Sequence, residues 1–539
     1  MRHVTPTAGR VRPVIVAMAS LLVLTRPPAA SAQDSLRTPT RPRTTAEDLQ
    51  LFSQVFNQLR VNHPDSLDPH LLIMAAVRGM VRAADPHSYV MTAVRLSPEL
   101  EELQRKGKLT PLPVAFTFVG GSPVVASIAP GTTAAQQDIV VGDELVAVDG
   151  RDVTAESSEE LDLVLSGAPG SAATLTIERR RTDGTRARLE RRIVRQHVDD
   201  QTAVPVAMML EPTTGYVRVT TFANEKVADD LHNALGRLEG RGMKRLILDL
   251  RDNGGGIVSQ AAKIAGEFLP AGAVVYTAAG RKKEIIDTGR VKRSFWRSER
   301  RYPIVVMVNQ GTASASELVA GALQDHDRAL IVGRPTFGKA LLMQGLPLSD
   351  GSLMMLVVGQ VRTPCGRVVQ RAYRALTTRN YYRLAGEARD TVGRASCKTD
   401  TGRVVYGGGG IFPDIELPTP NDLPTWMSRL NEADVWLEWL GSFLPGEGAR
   451  LTTLEAFLAD DHPSATAIAS FRAIAARHQI DIPGDADERL WRAMRRVIAG
   501  AKWGEGGALT VRAYADPQVR SAIESFTRAA LLLGPEHEG

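Results

Sequence analysis

Residues 302–344 read YPIVVMVNQGTASASELVAGALQDHDRALIVGRPTFGKALLMQ. The run YPIVVMVN is continuously apolar and closed by a polar residue, which indicates a buried parallel strand. RLILDLR at 245–251 shows the same pattern, and helical stretches such as VADDLHNALGRLEG and VSQAAKIAGEFL connect such strands. Strands that alternate with helices predict an α/β domain, whose ligands bind beyond the carboxyl ends of the strands.

Two segments follow such strand ends, DNGGG at 252–256 and QGTASASE at 310–317. A serine at the start of a helix lies beside unpaired N–H groups that suit an oxyanion, although serine is also a routine helix cap. Lys339 follows a Thr-Phe-Gly turn and opens an apolar run. Burial lowers a lysine pKa from about 10.4, and a neutral amine can take a proton from serine. A solvated turn lysine is the structural alternative.

Histidine offers a competing base. His326 falls about three turns along the helix after the serines, His87 lies in a distant DPHS segment, and His197 falls between domains. We therefore expect surface or capping roles for all three. No HExxH motif and no group of histidines and carboxylates is present in the sequence, so we expect neither a metal site nor a cofactor.

The first 32 residues predict a secretory signal peptide. Basic residues precede the short apolar run VIVAMASLLVL, and a small-residue site favours cleavage near Ala32 over retention as an anchor. The formal charge of +5 is small for 539 residues and does not cluster with aromatic residues, which argues against nucleic-acid binding. Two cysteines, Cys365 and Cys397, fit an oxidising compartment as a bridge, or are two free buried thiols.

Other parts of the chain have their own patterns. Short alternating strands with Gly, Pro and Asp-Gly turns fill residues 106–195 and predict a small β-domain. Apolar positions spaced by three and four predict helices before this domain and again after about residue 420, where packing or shielding is the expected role.

Taken in order, these blocks resemble the carboxyl-terminal processing (tail-specific) proteases, serine peptidases with a Ser-Lys mechanism and an inserted PDZ domain. GMVRAADPHSYV is similar to the family's helix and DPHS box, and VVASIAPGTTAAQQDIVVGDELVAVDG to its PDZ core. GYVRVTTF, LILDLRDNGGG, GTASASELVAGALQD and GRPTFGKA resemble the protease blocks, and LPLSDGS, RTPCGRVVQ and GGGGIFPDI the blocks that follow.

The resemblance implies an α/β multidomain fold: a crotonase-like α/β protease core with an inserted PDZ β-domain and helical N- and C-terminal regions. We expect these segments: signal peptide 1–32, flexible leader 33–45, N-terminal helical region 46–105, PDZ domain 106–196, Ser-Lys protease core 197–420 and C-terminal helical domain 421–539.

Carried over by position, Ser314 is the nucleophile, with Ser316 as the fallback, and Lys339 is the general base. The resemblance implies oxyanion donors at the backbone N–H groups of Ala315 and Gly255. It also implies that three residues support the site by hydrogen bonds and charge, namely Asp249, Arg251 and Glu317.

Three segments depart from the family pattern, the first of which is DNGGG, where Gly254 replaces a proline and leaves the loop less rigid. A glutamine usually follows the lysine by four residues, but Met343 stands there and Gln344 comes next, so either a bulge restores Gln344 or another group holds the lysine. The PDZ carboxylate-binding loop lacks its usual glycines. Its donors would be the N–H groups of Val114 and Ala115, or the PDZ domain serves as a lid or hinge without tight peptide binding.

The family resemblance implies an exported endopeptidase that cuts polypeptides near their C-termini, with substrates that carry apolar tails and a PDZ domain that gates the site. A regulatory adaptor is a further partner that the resemblance suggests, and a Cys365–Cys397 bridge would anchor an insertion at about 371–403. A catalytically silent PDZ scaffold or a ligand-binding protein on the same fold remains the alternative.

Overall fold

The computed structural model describes residues 43–534, apart from gaps at 92–97, 106–107, 120–121, 129–131, 133, 135–136, 138, 140–142, 154, 156–157, 181–185, 197–201, 293–298, 375, 377–379, 382–383, 385–390, 419–423, 434 and 445. The expected signal peptide, most of the expected leader and His197 therefore lie outside the described residues. The chain divides into two units, Met1–Ala76 and Val77–Gly539.

The described helices are α1 (Thr45–Asn62), α2 (Pro69–Ala84), α3 (Pro98–Arg105), α4 (Ser158–Leu165), α5 (Val227–Gly240), α6 (Val258–Ala265), α7 (Ala315–Asp325), α8 (Thr425–Glu432), α9 (Val435–Phe443), α10 (Leu454–Ala459), α11 (Ala465–Arg477), α12 (Asp487–Ala515), α13 (Pro517–Glu524) and α14 (Phe526–Leu531). None of these helices is long and apolar enough to cross a bilayer.

The described strands are β1 (Tyr89–Met91), β2 (Val114–Val119), β3 (Ser122–Ile128), β4 (Glu144–Val148), β5 (Arg151–Asp152), β6 (Ala172–Arg180), β7 (Arg186–Val194), β8 (Val206–Glu211), β9 (Thr214–Arg218), β10 (Arg245–Asp249), β11 (Val274–Ala279), β12 (Ile285–Arg290), β13 (Ile304–Val308), β14 (Leu330–Gly333), β15 (Leu341–Pro347), β16 (Leu353–Arg362), β17 (Ser396–Lys398), β18 (Val404–Tyr406) and β19 (Ile415–Glu416).

The central sheet has the order β19-β14-β13-β10-β9-β8 and is parallel except for β8. Successive side chains of a strand point to opposite faces. Leu246 and Leu248 accordingly pack with helices α5 to α7, whereas Ile247 packs with the end of α12 and with α13 and α14. Burial on both faces explains the unbroken apolar runs in the sequence.

A second, antiparallel sheet carries β15 and β1. Its order is β1-β16-β11-β12, and β15 pairs with β16. Because β15 begins at Leu341, this sheet continues directly from Lys339, and β1 places the preceding DPHS segment beside β16.

The β-domain has the sheet order β2-β3-β4-β6-β7, with α4 beside β2. The C-terminal helices α8 to α12 enclose a separate apolar core that includes Trp439 and Phe471. The end of α12, with α13 and α14, covers the second face of the central sheet. The α/β multidomain architecture predicted from the sequence is confirmed.

Candidate active site

The loops after β10 and β13 form one surface, because these strands are parallel neighbours in the central sheet. The Asp252 N–H donates to Asn309 Oδ1 at 2.9 Å, and Asn309 Nδ2 donates to Asp252 Oδ1 at 2.7 Å. The Ala313 N–H donates to the Asn253 carbonyl at 3.0 Å. These reciprocal bonds fix the DNGGG segment against the serine-containing turn.

Ser314 occupies the turn between β13 and α7 with φ 56° and ψ −123°, a conformation that is strained for a residue with a side chain. A strained strand-to-helix turn exposes a nucleophile beside the first N–H groups of the helix. The Ala315 N–H makes no hydrogen bond among the described residues. Ser316 is fully buried and its Oγ has no hydrogen-bond partner there, so accessibility favours Ser314 over Ser316.

Glu317 connects Ser314 to the segment that carries Lys339. Its Oε2 accepts the Ser314 N–H at 3.0 Å and the Lys339 N–H at 2.8 Å, so the two backbone nitrogens lie within about 6 Å of each other. Its Oε1 accepts from Thr336 Oγ1 and from the Gly338 N–H. Residues that are 25 positions apart in the sequence are therefore held together by a single carboxylate.

Glu317 is completely buried. Burial raises the pKa of its carboxyl group from 4.5 to about 7, although the four hydrogen-bond donors favour the ionised form. A carboxyl group that titrates near neutral pH beside two candidate catalytic residues is typical of active sites.

Gly255 lies directly against the serine turn with φ 91°. A Cβ atom at this position would approach the Ala313 carbonyl oxygen to 2.7 Å and the Ala315 nitrogen to 2.8 Å, so only glycine fits here. Its N–H donates to Asn253 Oδ1 at 2.9 Å. The predicted oxyanion donor is thus adjacent to Ser314, but its hydrogen is held by the side chain of its own loop.

Asp249 and Arg251 lie beneath this loop. Burial alone would raise the pKa of Asp249, but hydrogen bonds and charge from Arg251, with Arg218 and Tyr216, hold it well below its usual range. Arg251 also donates to Asp516 Oδ2 at 2.7 Å. The loop is therefore tied to the start of α13, a connection that no sequence pattern indicated.

Gln344 lies on β15 with an exposed side chain that makes no hydrogen bond among the described residues. The pairing with β16 shifts register between Leu342 and Met343, but this bulge leaves Gln344 exposed. The amide next to the lysine is instead that of Gln370, whose Oε1 accepts the Ala340 N–H at 2.9 Å.

The structure describes His326 and His87, whereas His197 lies outside the described residues. His326 caps the far end of α7, about 18 Å along the helix from Ser314, where its ring bonds Asp400 and the Val274 carbonyl. His87 is buried, and its Nε2 lies 3.1 Å from Tyr381 Oη. Burial, and then the charge of Lys339, lower the pKa of His87 to about 4. The distant DPHS segment therefore reaches the surroundings of the lysine.

The two residues predicted to bind a peptide terminus lie on β2, at one edge of the β-domain sheet. Val114 pairs with Ile128 and Ala115 with Ser127 of β3. Cys365 and Cys397 form a disulfide with Cα atoms 6.0 Å apart, which ties the β17–β18 hairpin to the end of β16.

Comparison with known proteins identifies the family. The model of peptidase family S41 matches residues 213–373, and a PDZ domain model matches residues 124–179. The carboxy-terminal-processing protease of Bartonella bacilliformis is 32% identical over 332 residues, which cover 61% of this chain and 74% of that protein. The carboxyl-terminal-processing protease of Synechocystis sp. is 35% identical over 241 residues, which cover 43% of this chain and 53% of that protein. The solved photosystem II D1 C-terminal processing protease shares 26% identity over 71% of this chain and 95% of its own, with a TM-score of 0.39. This chain therefore belongs to peptidase family S41, among the carboxyl-terminal-processing proteases, and carries a PDZ domain.

Proposed function

We propose that this protein is an exported serine endopeptidase that cleaves polypeptides near their C-termini with Ser314 as nucleophile and Lys339 as general base. The observation that carries the proposal is the convergence of both residues on Glu317 Oε2. A Ser-Lys mechanism needs the serine hydroxyl and the lysine amine in one site, and the shared carboxylate supports this by holding the backbone nitrogens of a strained serine and a half-buried lysine within about 6 Å of each other.

In this mechanism Ser314 Oγ attacks the scissile carbonyl carbon while Lys339 Nζ takes the hydroxyl proton. The carbonyl oxygen becomes an oxyanion beside the Ala315 N–H, and the Gly255 N–H joins it when the Asn253 side chain releases that hydrogen. Lys339 then gives the proton to the leaving amine, which breaks the peptide bond and leaves an acyl-enzyme. A water molecule attacks the ester carbonyl carbon while Lys339 accepts one of its protons. The bond between the acyl carbon and Ser314 Oγ then breaks, Lys339 returns the proton to Oγ, and the carboxylic acid product leaves.

The PDZ domain would hold the substrate tail. Its edge strand β2 offers backbone groups for an added strand, and α4 lies beside it. We infer that an apolar C-terminal tail binds there and that movement of this domain gates the site. The N-terminal 32 residues would direct export and be removed near Ala32.

The test compares residues 33–539 with three variants, Ser314→Ala, Lys339→Ala and Ser316→Ala, on a loosely folded polypeptide that bears an apolar C-terminal tail. We expect the first two to lose cleavage by roughly a thousandfold or more, and Ser316→Ala to keep it. Fragments are identified by mass spectrometry. Equal cleavage by all variants would refute the proposal, and loss in Ser316→Ala alone would move the nucleophile to Ser316.

A further inference from the structure

Arg371 is a buried cation that takes no part in the reaction steps described above. Its guanidinium carbon lies 4.5 Å from the centroid of Phe337 and 4.2 Å from that of Tyr381. The residue is 8% exposed, and its three guanidinium nitrogens are buried with no hydrogen-bond partner among the described residues. Buried charges in proteins are normally paired, because an unpaired one weakens the fold.

Arg371 lies close to Lys339 in the folded chain. The Arg371 N–H donates to the Gly338 carbonyl at 2.9 Å, and Gly338 is the residue before the lysine. A Cβ atom on Gly338 would stand 3.0 Å from Arg371 Cβ. Burial lowers the pKa of His87, and the charges of both Lys339 and Arg371 lower it further. The charges of Arg371 and Lys339 therefore both act on the buried His87 ring.

Other titratable groups around the lysine come from separate elements. Glu317 on α7 accepts the Lys339 N–H, His87 precedes β1 with Asp85 beside it, and Tyr381 links His87 to Gln370. The charge of Glu317 changes near neutral pH, because burial raises the pKa of its carboxyl group to about 7. Arginine, in contrast, keeps its charge throughout the working pH range of proteins.

We propose that Arg371 is a positioning residue whose fixed positive charge favours the neutral amine of Lys339, the form that can accept the proton of Ser314. This inference rests on the proposed Ser-Lys mechanism. Like charges in a poorly solvated site disfavour each other, so a permanent cation keeps the neighbouring lysine unprotonated. The rings of Phe337 and Tyr381 stack on the guanidinium, and among the described residues no carboxylate forms an ion pair with it. Arg371 itself exchanges no proton.

The experiment replaces Arg371 by Met and, in a second variant in case the first does not fold, by Gln. The matched control is Arg495→Met, because Arg495 is also buried and stacked, 4.9 Å from Phe457, but lies in the C-terminal helical core. We expect the acid limb of kcat/KM to move to higher pH by roughly one unit in both Arg371 variants, the size of shift that loss of one nearby charge causes in a partly buried site. The control should keep the limb of the unaltered protein.

A second readout does not need cleavage. In the Ser314→Ala background, amine acylation of Lys339 is followed by mass spectrometry over a range of pH. The midpoint should rise by the same roughly one unit when Arg371 is neutralised. Unchanged midpoints in folded Arg371 variants would overturn the role of Arg371, whether or not cleavage occurs. Absence of cleavage by the unaltered protein would instead count against the proposed function.

Discussion

Glu317→Gln tests the convergence of the serine and lysine segments on one carboxylate. The glutamine amide has one acceptor oxygen, and its NH₂ group replaces the other carboxylate oxygen, which accepts two hydrogen bonds in Glu317. Where the NH₂ group replaces Oε2, the N–H groups of Ser314 and Lys339 lose their acceptor. Each unsatisfied buried N–H costs about 1–3 kcal/mol, so we expect roughly 2–4 kcal/mol of local destabilisation after partial relaxation.

Amide hydrogen exchange of peptides that span 311–320 and 336–342 measures this effect directly. A loss of 2–4 kcal/mol corresponds to protection that falls by roughly 30- to 1,000-fold, and cleavage should fall with it. The control is Glu488→Gln on the exposed face of α12, where 82% of the side chain is exposed. Unchanged protection in both peptides of Glu317→Gln would refute the claim that this carboxylate joins the two segments.

The same residue gives a pH dependence with a definite sign. Because the pKa of Glu317 rises from 4.5 in the unfolded chain to about 7 in the folded protein, the native state retains a proton that the unfolded state has lost. The stabilisation from this group is thus complete below about pH 4.5 and is lost as pH rises to 7, by roughly 3 kcal/mol. Melting temperatures at pH 5 and 8 should therefore differ more in the unaltered protein than in Glu317→Gln.

Three further predictions concern the loop, its support and the disulfide. Gly255→Ala should lower cleavage at least about a hundredfold because its Cβ would displace the serine turn, whereas Gly254→Ala, with no atom within 4 Å, should be nearly neutral; a peptide-cleavage assay of both variants distinguishes the positions. Arg251→Met should destabilise the protein by about 3 kcal/mol because it removes the cation that two buried carboxylates share, and a melting curve like that of the unaltered chain would contradict this. Unreduced, denatured protein should yield no free thiol, and reduction of Cys365–Cys397 should speed hydrogen exchange in the β17–β18 hairpin; two free thiols would reject the bridge.

The alternation of apolar strands and helices was enough to predict the α/β architecture, because parallel strands buried on both faces leave a strong sequence pattern. The polar segments that follow two of these strands, 252–256 and 310–317, also indicated the two loops that contact each other in the structure. Sequence alone could not show that Ser314 has a positive φ, since serine does not require one, nor that the Gly255 N–H is held by Asn253.

Contacts between distant segments account for the residues that sequence reasoning missed. Gln370 and Arg371 follow β16, which pairs with β15, and they hydrogen-bond to Ala340 and Gly338 on either side of Lys339. Tyr381 contacts Gln370, and His87 reaches Tyr381 from the segment before β1. Gln344 could orient Lys339 only if a bulge turned its side chain toward the lysine. The pairing of β15 with β16 contains one register shift, but the Gln344 side chain remains exposed. Asp516 contacts Arg251 across 265 positions, a separation that no local pattern records.

The most direct test of the account identifies the residue that becomes acylated. The protein is mixed with an activated ester of a short apolar peptide, quenched in acid within the first turnover, digested and mapped by mass spectrometry. We expect the acyl group on Ser314, and none in Ser314→Ala or, at neutral pH, in Lys339→Ala. An acyl group on Ser316 or on another residue, or turnover that persists in Ser314→Ala, would contradict it.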